Sequence, residues 1–262
     1  MQKLFIVKIG GNVIDEPAAL KQFLVDFSKI QYPKILVHGG GTIATKIGKQ
    51  LGIESKYVNG RRITDEPTRD LVTMVYGGLL NKQIVTQLQT LHTNAIGLTG
   101  ADGNMIKATK RPVKEIDYGY VGDIETKDIN TSFLYFLLKQ NLIPIVAPLT
   151  HADGIILNTN ADTIASAMAI ALSKHFQIRL IYCFEKKGVL MKIEDDQSVI
   201  PKMDKTQYLE LRKNKKVVDG MIPKLDNAFD ALHGGVHEIL VGSAEDILSN
   251  VGEMAAGTLI TA

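Results

Sequence analysis

The chain has a single cysteine, Cys183, so no intrachain disulfide can form and a reducing compartment, the cytoplasm, is the expected home. It has no excess of charge. Thirty basic against 28 acidic residues leave a formal +2, too even for the basic footprint of a protein that binds nucleic acid or a membrane surface. An anionic ligand must therefore be held by a local arrangement. Long apolar runs are also missing. The first residues come closest, but Lys8 interrupts them and Gly10-Gly11 follow where a small-residue cleavage site would be needed. Elsewhere Pro144, Pro148 or charged residues break the runs, well short of the roughly 18 to 20 residues a membrane span requires. Nor is there a Walker pattern, which excludes a P-loop enzyme. Disorder-like bias is absent too. With 45% apolar residues in 262, the chain can bury one large core or two lobes of one α/β unit.

What is there alternates. Short apolar runs at 4–9, 35–38, 95–98, 143–147, 178–182 and 239–241 read as buried strands, and the first two end at glycines. Segments 18–30, 67–91, 126–140, 161–173 and 222–233 read as helices. The alternation predicts an α/β fold in which an open, mostly parallel sheet is sandwiched between helices. Residues 103–125 turn polar and short-stranded, which predicts hairpins at the sheet edge and a flap able to cover a ligand. The lysine-rich stretch 194–216 interrupts the pattern before the last helix. A division near residue 173 gives two lobes, 1–173 and 174–262, of one continuous sheet.

In such sheets ligands lie beyond the carboxyl ends of the strands. Two glycine turns stand there: Lys8-Ile9-Gly10-Gly11-Asn12 after the first strand and His38-Gly39-Gly40-Gly41-Thr42 after the second. Glycines let backbone N–H groups approach an anion closely, although one such turn alone is equally a tight strand-to-helix connection. Two adjacent turns with a lysine at the same edge point to phosphate chemistry, and His38 reads as a brace for the second turn. Gly39, Gly41 and Ala44 match the dinucleotide pattern G-x-G-x-x-G/A. The acidic residue expected about 20 positions on is missing from Tyr57-Val58-Asn59-Gly60-Arg61-Arg62, so a dehydrogenase ranks low. Further along, Asn158-Thr159-Asn160-Ala161-Asp162 joins a strand to a helix, where Asn and Asp also serve as caps. Asp219-Gly220-Met221-Ile222-Pro223-Lys224 opens a helix with a lysine in its first turn, which the dipole disfavours unless it faces an anion. His233 and His237 have His-x-x-x-His spacing but no third ligand beside them, so no metal site is read there.

Five motifs in order, Lys8-x-Gly10-Gly11, His38-Gly39-Gly40-Gly41, Gly60-x-Arg62-x-Thr64, Asn158-x-Asn160-Ala161-Asp162 and Gly220-Met221-x-x-Lys224, resemble those of the N-acetylglutamate kinases of the amino-acid kinase family. The resemblance runs from residue 3 to Ala256-Gly257-Thr258, and it implies the amino-acid kinase fold. It also implies ATP-dependent phosphorylation of the side-chain carboxylate of an N-acylated glutamate, acetyl or succinyl, as in arginine biosynthesis. By similarity, Lys8 and Lys224 would flank the transferring phosphoryl group and Asp162 would hold both ammonium groups in position. Gly10, Gly11, Gly188 and Gly220 would lie on the nucleotide, with Mg²⁺ carried mainly by its phosphates. Gly40, Gly41, Arg62 and Asn158 would bind the acylglutamate, Arg62 as a planar fork on its α-carboxylate.

The first lobe would then hold the acylglutamate and the dimer contact, and the second the nucleotide. Two places depart from the family pattern: Cys183-Phe184-Glu185-Lys186-Lys187 stands before Gly188-Val189-Leu190 where relatives have Thr-Asp, and Asp219 replaces a glycine. Arginine-inhibited members carry an extra N-terminal helix ahead of the first strand, so a homodimer without arginine feedback is expected here. The rival readings are a kinase of another carboxylate or carbamate, separable by an acceptor panel, and a sensor of the same fold without turnover.

Overall fold

A computed structural model describes residues 1–58, 60–192, 195, 197–214 and 222–261, without the side chains of Pro223 and Lys224. The chain opens with β1 (Lys3–Ile9), α1 (Asn12–Asp15), α2 (Pro17–Ser28), β2 (Lys34–His38) and α3 (Gly41–Gln50). A small hairpin, β3 (Tyr57–Val58) and β4 (Arg61–Arg62), leads into α4 (Glu66–Val72), a π-helical segment Thr73–Leu80, and α5 (Asn81–Thr90). Then come β5 (Ala95–Leu98), the hairpin β6 (Thr109–Lys110) and β7 (Gly122–Asp123), α6 (Thr131–Lys139) and β8 (Ile143–Val146). The hairpin β9 (Leu149–Ala152) and β10 (Ile155–Asn158) precedes α7 (Ala161–Leu172) and β11 (Gln177–Phe184). The chain finishes with β12 (Lys202–Met203), α8 (Lys205–Lys213), α9 (Ile222–His233), β13 (Glu238–Ser243), α10 (Ile247–Asn250) and β14 (Thr258–Ile260).

Eight of these strands form one sheet in the order β12-β14-β13-β11-β1-β2-β8-β5. All neighbours run parallel except β13 and β14. β1 sits in the middle, and strands from before residue 173 lie on one side of it, those from after on the other. Because side chains alternate along a strand, β1 feeds two cores. Phe5, Val7 and Ile9 pack with Leu20, Phe23, Leu24 and Phe27 of α2 and with the layer of α3 to α5. Leu4 and Ile6 pack with Ile164, Ala165 and Met168 of α7 and with α6 and α9. Period two therefore sends Lys8, next on the face of Leu4 and Ile6, toward α7.

The π segment joins α4 and α5 into one continuous helical run over the predicted 67–91. The predicted 126–140 helix is instead divided. A 3-10 turn at Thr126–Asp128 comes first, and α6 starts afresh where the Asn130 side chain accepts from the Phe133 N–H. The stretch 194–216 is more than an interruption. It contains β12 and α8, and α8 starts at a capping box in which Asp204 and Gln207 each satisfy the other's backbone N–H. The 103–125 hairpin forms as β6 and β7 but pairs with neither edge of the main sheet. It is tied inward instead, with the Tyr120 N–H donating to Thr64 O and the Thr64 N–H to Tyr118 O.

Candidate active site

The parallel register aligns Ile9 with His38 and Lys8 with Tyr182, so both glycine turns leave the same end of the sheet side by side. The Gly39 N–H donates to Ile9 O at 2.9 Å, and a Cβ on Gly39 would lie 3.5 Å from the Gly10 Cα. At this junction the Lys8 ammonium meets Asp162 Oδ1 at 2.8 Å, with both side chains mostly buried. Among the described residues, Asp162 Oδ1 has no recorded side-chain partner other than Lys8. Asp162 arrives there because Asn160 caps α7 by accepting from the Thr163 N–H, which places Asp162 in the first turn. The Tyr182 hydroxyl donates to the Asp162 backbone carbonyl, and the Phe184 ring lies 5.8 Å from the ammonium.

Gly10 is where the turn needs its missing side chain, since a Cβ there would lie 3.0 Å from Lys8 Nζ. Gly11 takes φ +53°, and a Cβ on it would face Glu185 Oε1 at 3.9 Å. Glu185, one of the departures from the family pattern, is thus at the first turn. Gly188 lies farther along, with Thr258 Oγ1 only 2.7 Å from its Cβ position and the Val189 N–H donating to that hydroxyl. Close packing accounts for glycine at 188.

The second turn is braced from below. His38 is fully buried, and burial pushes its imidazole down to about 4. It is neutral at physiological pH, with Nδ1–H donating to Gly39 O at 2.8 Å and Nε2 accepting from Asn81 Nδ2 at 3.2 Å. Asn81 also donates to Ile145 O, tying the turn to β8. Gly40 has φ +147° and backs onto Leu80 and Tyr76. Arg62 is buried beside Gly41, donating to Gly41 O at 2.8 Å, to Thr45 Oγ1 at 3.0 Å and to Ser55 Oγ, while its guanidinium covers the Tyr57 ring at 4.8 Å. Asn158 donates from Nδ2 to Thr64 Oγ1 at 3.1 Å, and its N–H donates to Tyr120 O in the flap.

A model of the amino acid kinase family matches residues 3–243. The chain belongs to the amino acid kinase family. It is 52% identical to an acetylglutamate kinase of Cytophaga hutchinsonii over the whole of both chains. It is likewise 52% identical to one of Parabacteroides distasonis, covering 94% of this chain and 96% of the relative. Among solved structures, an N-acetylglutamate synthase from Neisseria gonorrhoeae, complexed with coenzyme A and N-acetyl-glutamate, superposes with a TM-score of 0.83. At 20% identity that likeness concerns the fold; it covers all of this chain and 59% of the synthase.

Within this family member, the fold brings Lys8, Gly10, Gly11, Asp162, Gly40, Gly41 and Arg62 to one sheet edge, with Asn158 tied to the flap. Gly220 and the Lys224 side chain lie outside the described residues, as does Asp219; α9, which carries Lys224, begins at Ile222. Asn81, Tyr76, Thr45 and Ser55 were invisible as site residues in the sequence. Each reaches the turns only through tertiary packing.

Proposed function

We propose that the chain phosphorylates the side-chain carboxylate of N-acetyl-L-glutamate, or its N-succinyl counterpart, with ATP, giving an acyl phosphate in arginine biosynthesis. The observation that carries this reading is the Lys8 ammonium, set against Asp162 Oδ1 at 2.8 Å where two glycine turns meet. Relatives named acetylglutamate kinase, matching over the full chain, support the choice of acceptor.

The residues suit an anionic nucleotide. Gly10 leaves open the space a Cβ would occupy against Lys8 Nζ, and Gly11 adopts a backbone that L side chains rarely take. Gly10 and Gly11 would offer backbone N–H groups to the phosphates. When bound, Mg²⁺ carried by those phosphates supplies further positive charge. Gly188 and Gly220 complete the nucleotide side in this reading, which assigns residues 174–262 to the nucleotide and residues 1–173 to the acylglutamate and the dimer contact. Gly40 and Gly41 would lie against the substrate, Arg62 would pair with its α-carboxylate, and Asn158 would bind the same molecule.

A carboxylate acceptor is ionised at neutral pH, so no general base is needed. The acceptor oxygen bonds to the γ-phosphorus as the bond to the β-phosphate oxygen breaks, and the electron pair leaves on ADP. Lys8 and Lys224 would offset the repulsion between the two anions, and Asp162 would hold both ammonium groups. A homodimer in the cytoplasm is the assembly and setting this reading expects; no helix among the described residues is long and apolar enough to cross a membrane.

The test is hydroxylamine trapping of acyl phosphate with MgATP and, separately, N-acetyl-L-glutamate, N-succinyl-L-glutamate and free L-glutamate. Product from one acylated substrate is expected and identifies the acyl group. No product from any of them, with ATP bound and the protein folded, sinks the acylglutamate reading.

A further inference from the structure

Thr64 ends the Gly60-x-Arg62-x-Thr64 motif without a task in the proposed reaction. It lies two residues beyond Arg62, just past β4, and is fully buried. A buried hydroxyl is costly unless its bonding capacity is met. Here both of its functions are used: Oγ1 donates its single proton to Arg62 O at 3.4 Å and accepts from Asn158 Nδ2 at 3.1 Å. The direction of these bonds matters. With the Thr64 proton on the Arg62 carbonyl, only lone pairs face Asn158, and a carboxamide can meet lone pairs only with its nitrogen end. The turn of the Asn158 amide is thereby set, with Nδ2 toward Thr64.

The Thr64 backbone ties the same elements together. Its N–H donates to Tyr118 O at 2.9 Å, its carbonyl accepts from the Tyr120 N–H at 2.6 Å, and Tyr120 O accepts from the Asn158 N–H at 2.9 Å. Gly119, between the two tyrosines, takes φ +71°, and a Cβ on it would lie 2.2 Å from Thr64 O, so the flap runs flush against this residue. Thr64 and Asn158 are 94 residues apart in sequence. One hydroxyl thus joins the strand that carries Arg62 to the side chain of Asn158, and one backbone joins both to the flap.

We propose that Thr64 is a positioning residue of the acylglutamate site: its hydroxyl relays the Arg62 carbonyl to the Asn158 amide, fixing how that amide is turned and how far it stands from Arg62. The proposal rests on the acylglutamate kinase reading. In the full chain, Thr64→Val keeps the branched shape and removes the hydroxyl, whereas Thr64→Ser keeps the hydroxyl. For Thr64→Val the expected result is a rise of about tenfold in KM for the acylated glutamate, with kcat and the KM for ATP within about twofold. Thr64→Ser should restore the acylglutamate KM to within about twofold of the unmodified protein. In an Asn158→Ala background, Thr64→Val should add less than about twofold. An unchanged acylglutamate KM, an equal rise in the KM for ATP, no rescue by serine, or full additivity with Asn158→Ala would overturn the proposal. Thr93→Val removes another buried threonine hydroxyl, at the far end of α5, and should leave both KM values alone. If it reproduced the Thr64→Val kinetics, the role would be structural only and the proposal would fail. Absence of turnover in the unmodified protein would count against the function instead. Calorimetric binding of N-acetyl-L-glutamate and N-succinyl-L-glutamate to the unmodified and Thr64→Val proteins would then read the proposal, and equal affinities, or no binding to either form, would end it.

Discussion

The two glycine turns look alike in sequence and are built in opposite ways. The Lys8 turn carries a charge: an ammonium between Asp162 and the Phe184 ring, with glycine at position 10 because the lysine itself occupies the adjoining space. The His38 turn is clamped by neutral groups, His38 and Asn81 below and Tyr76 and Leu80 behind. Glycine there answers to a backbone at φ +147° and to packing, and the charge arrives from another element, on Arg62. In the proposed reaction the Lys8 charge would follow the moving phosphoryl group, a task suited to a long side chain. In the same proposal the second turn would present the acceptor, a task suited to a rigid surface.

The largest expected effect separates these roles. Lys8→Ala should reduce acyl phosphate formation by on the order of 100- to 1,000-fold while the chain still folds, as read by trapping assay and melting curve. A loss of folding in step with activity would erase the contrast.

Next comes pH. An unfolded histidine takes up a proton near 6.5, while His38 in the fold resists it until about 4. The depressed value means that its contribution to stability is fully present above 6.5 and is lost as pH falls toward 4, about 3 kcal/mol in all. Denaturant titrations across that window should show the slope, and His38→Asn should flatten it. An unchanged slope would mean that another group governs acid sensitivity.

The smallest effect is a pair of alanines. Gly40→Ala puts a Cβ 2.3 Å from Leu80 Cδ1 on a backbone that disfavours it and should cost about 1–3 kcal/mol of stability. Gly10→Ala meets only the movable end of Lys8, so the melting temperature should hold while turnover falls by about tenfold. Equal stability losses in the two variants would mean that the turns are mechanically the same.

Much of the layout is legible in the sequence. Six of the apolar runs became strands of the main sheet, because a parallel strand covered on both faces is nearly all apolar. Of that sheet's strands only β12 and β14 lack a readable apolar run; two and three residues long at one end of the sheet, they carry little pattern. α8 was missed although Asp204 and Gln207 spell out its cap, because its exposed, lysine-rich surface dominates the composition. The π segment has no signature in an apolar stretch, since period and width of turn cannot both be read from eight residues.

At the site, residue types that chemistry demands, a lysine beside glycines, an aspartate in a first helical turn and an arginine two residues after a glycine, stand out along the chain. Local rules determined them, since caps, turns and strand periodicity depend on near neighbours. Asn81 under His38, Tyr76 against Gly40 and Thr45 on Arg62 were decided only by the tertiary structure, which sets elements 17 to 43 residues apart in contact. Such pairs leave no mark in sequence because burial, direction and partner are properties of the packed layers, and the residues themselves are ordinary until those layers meet.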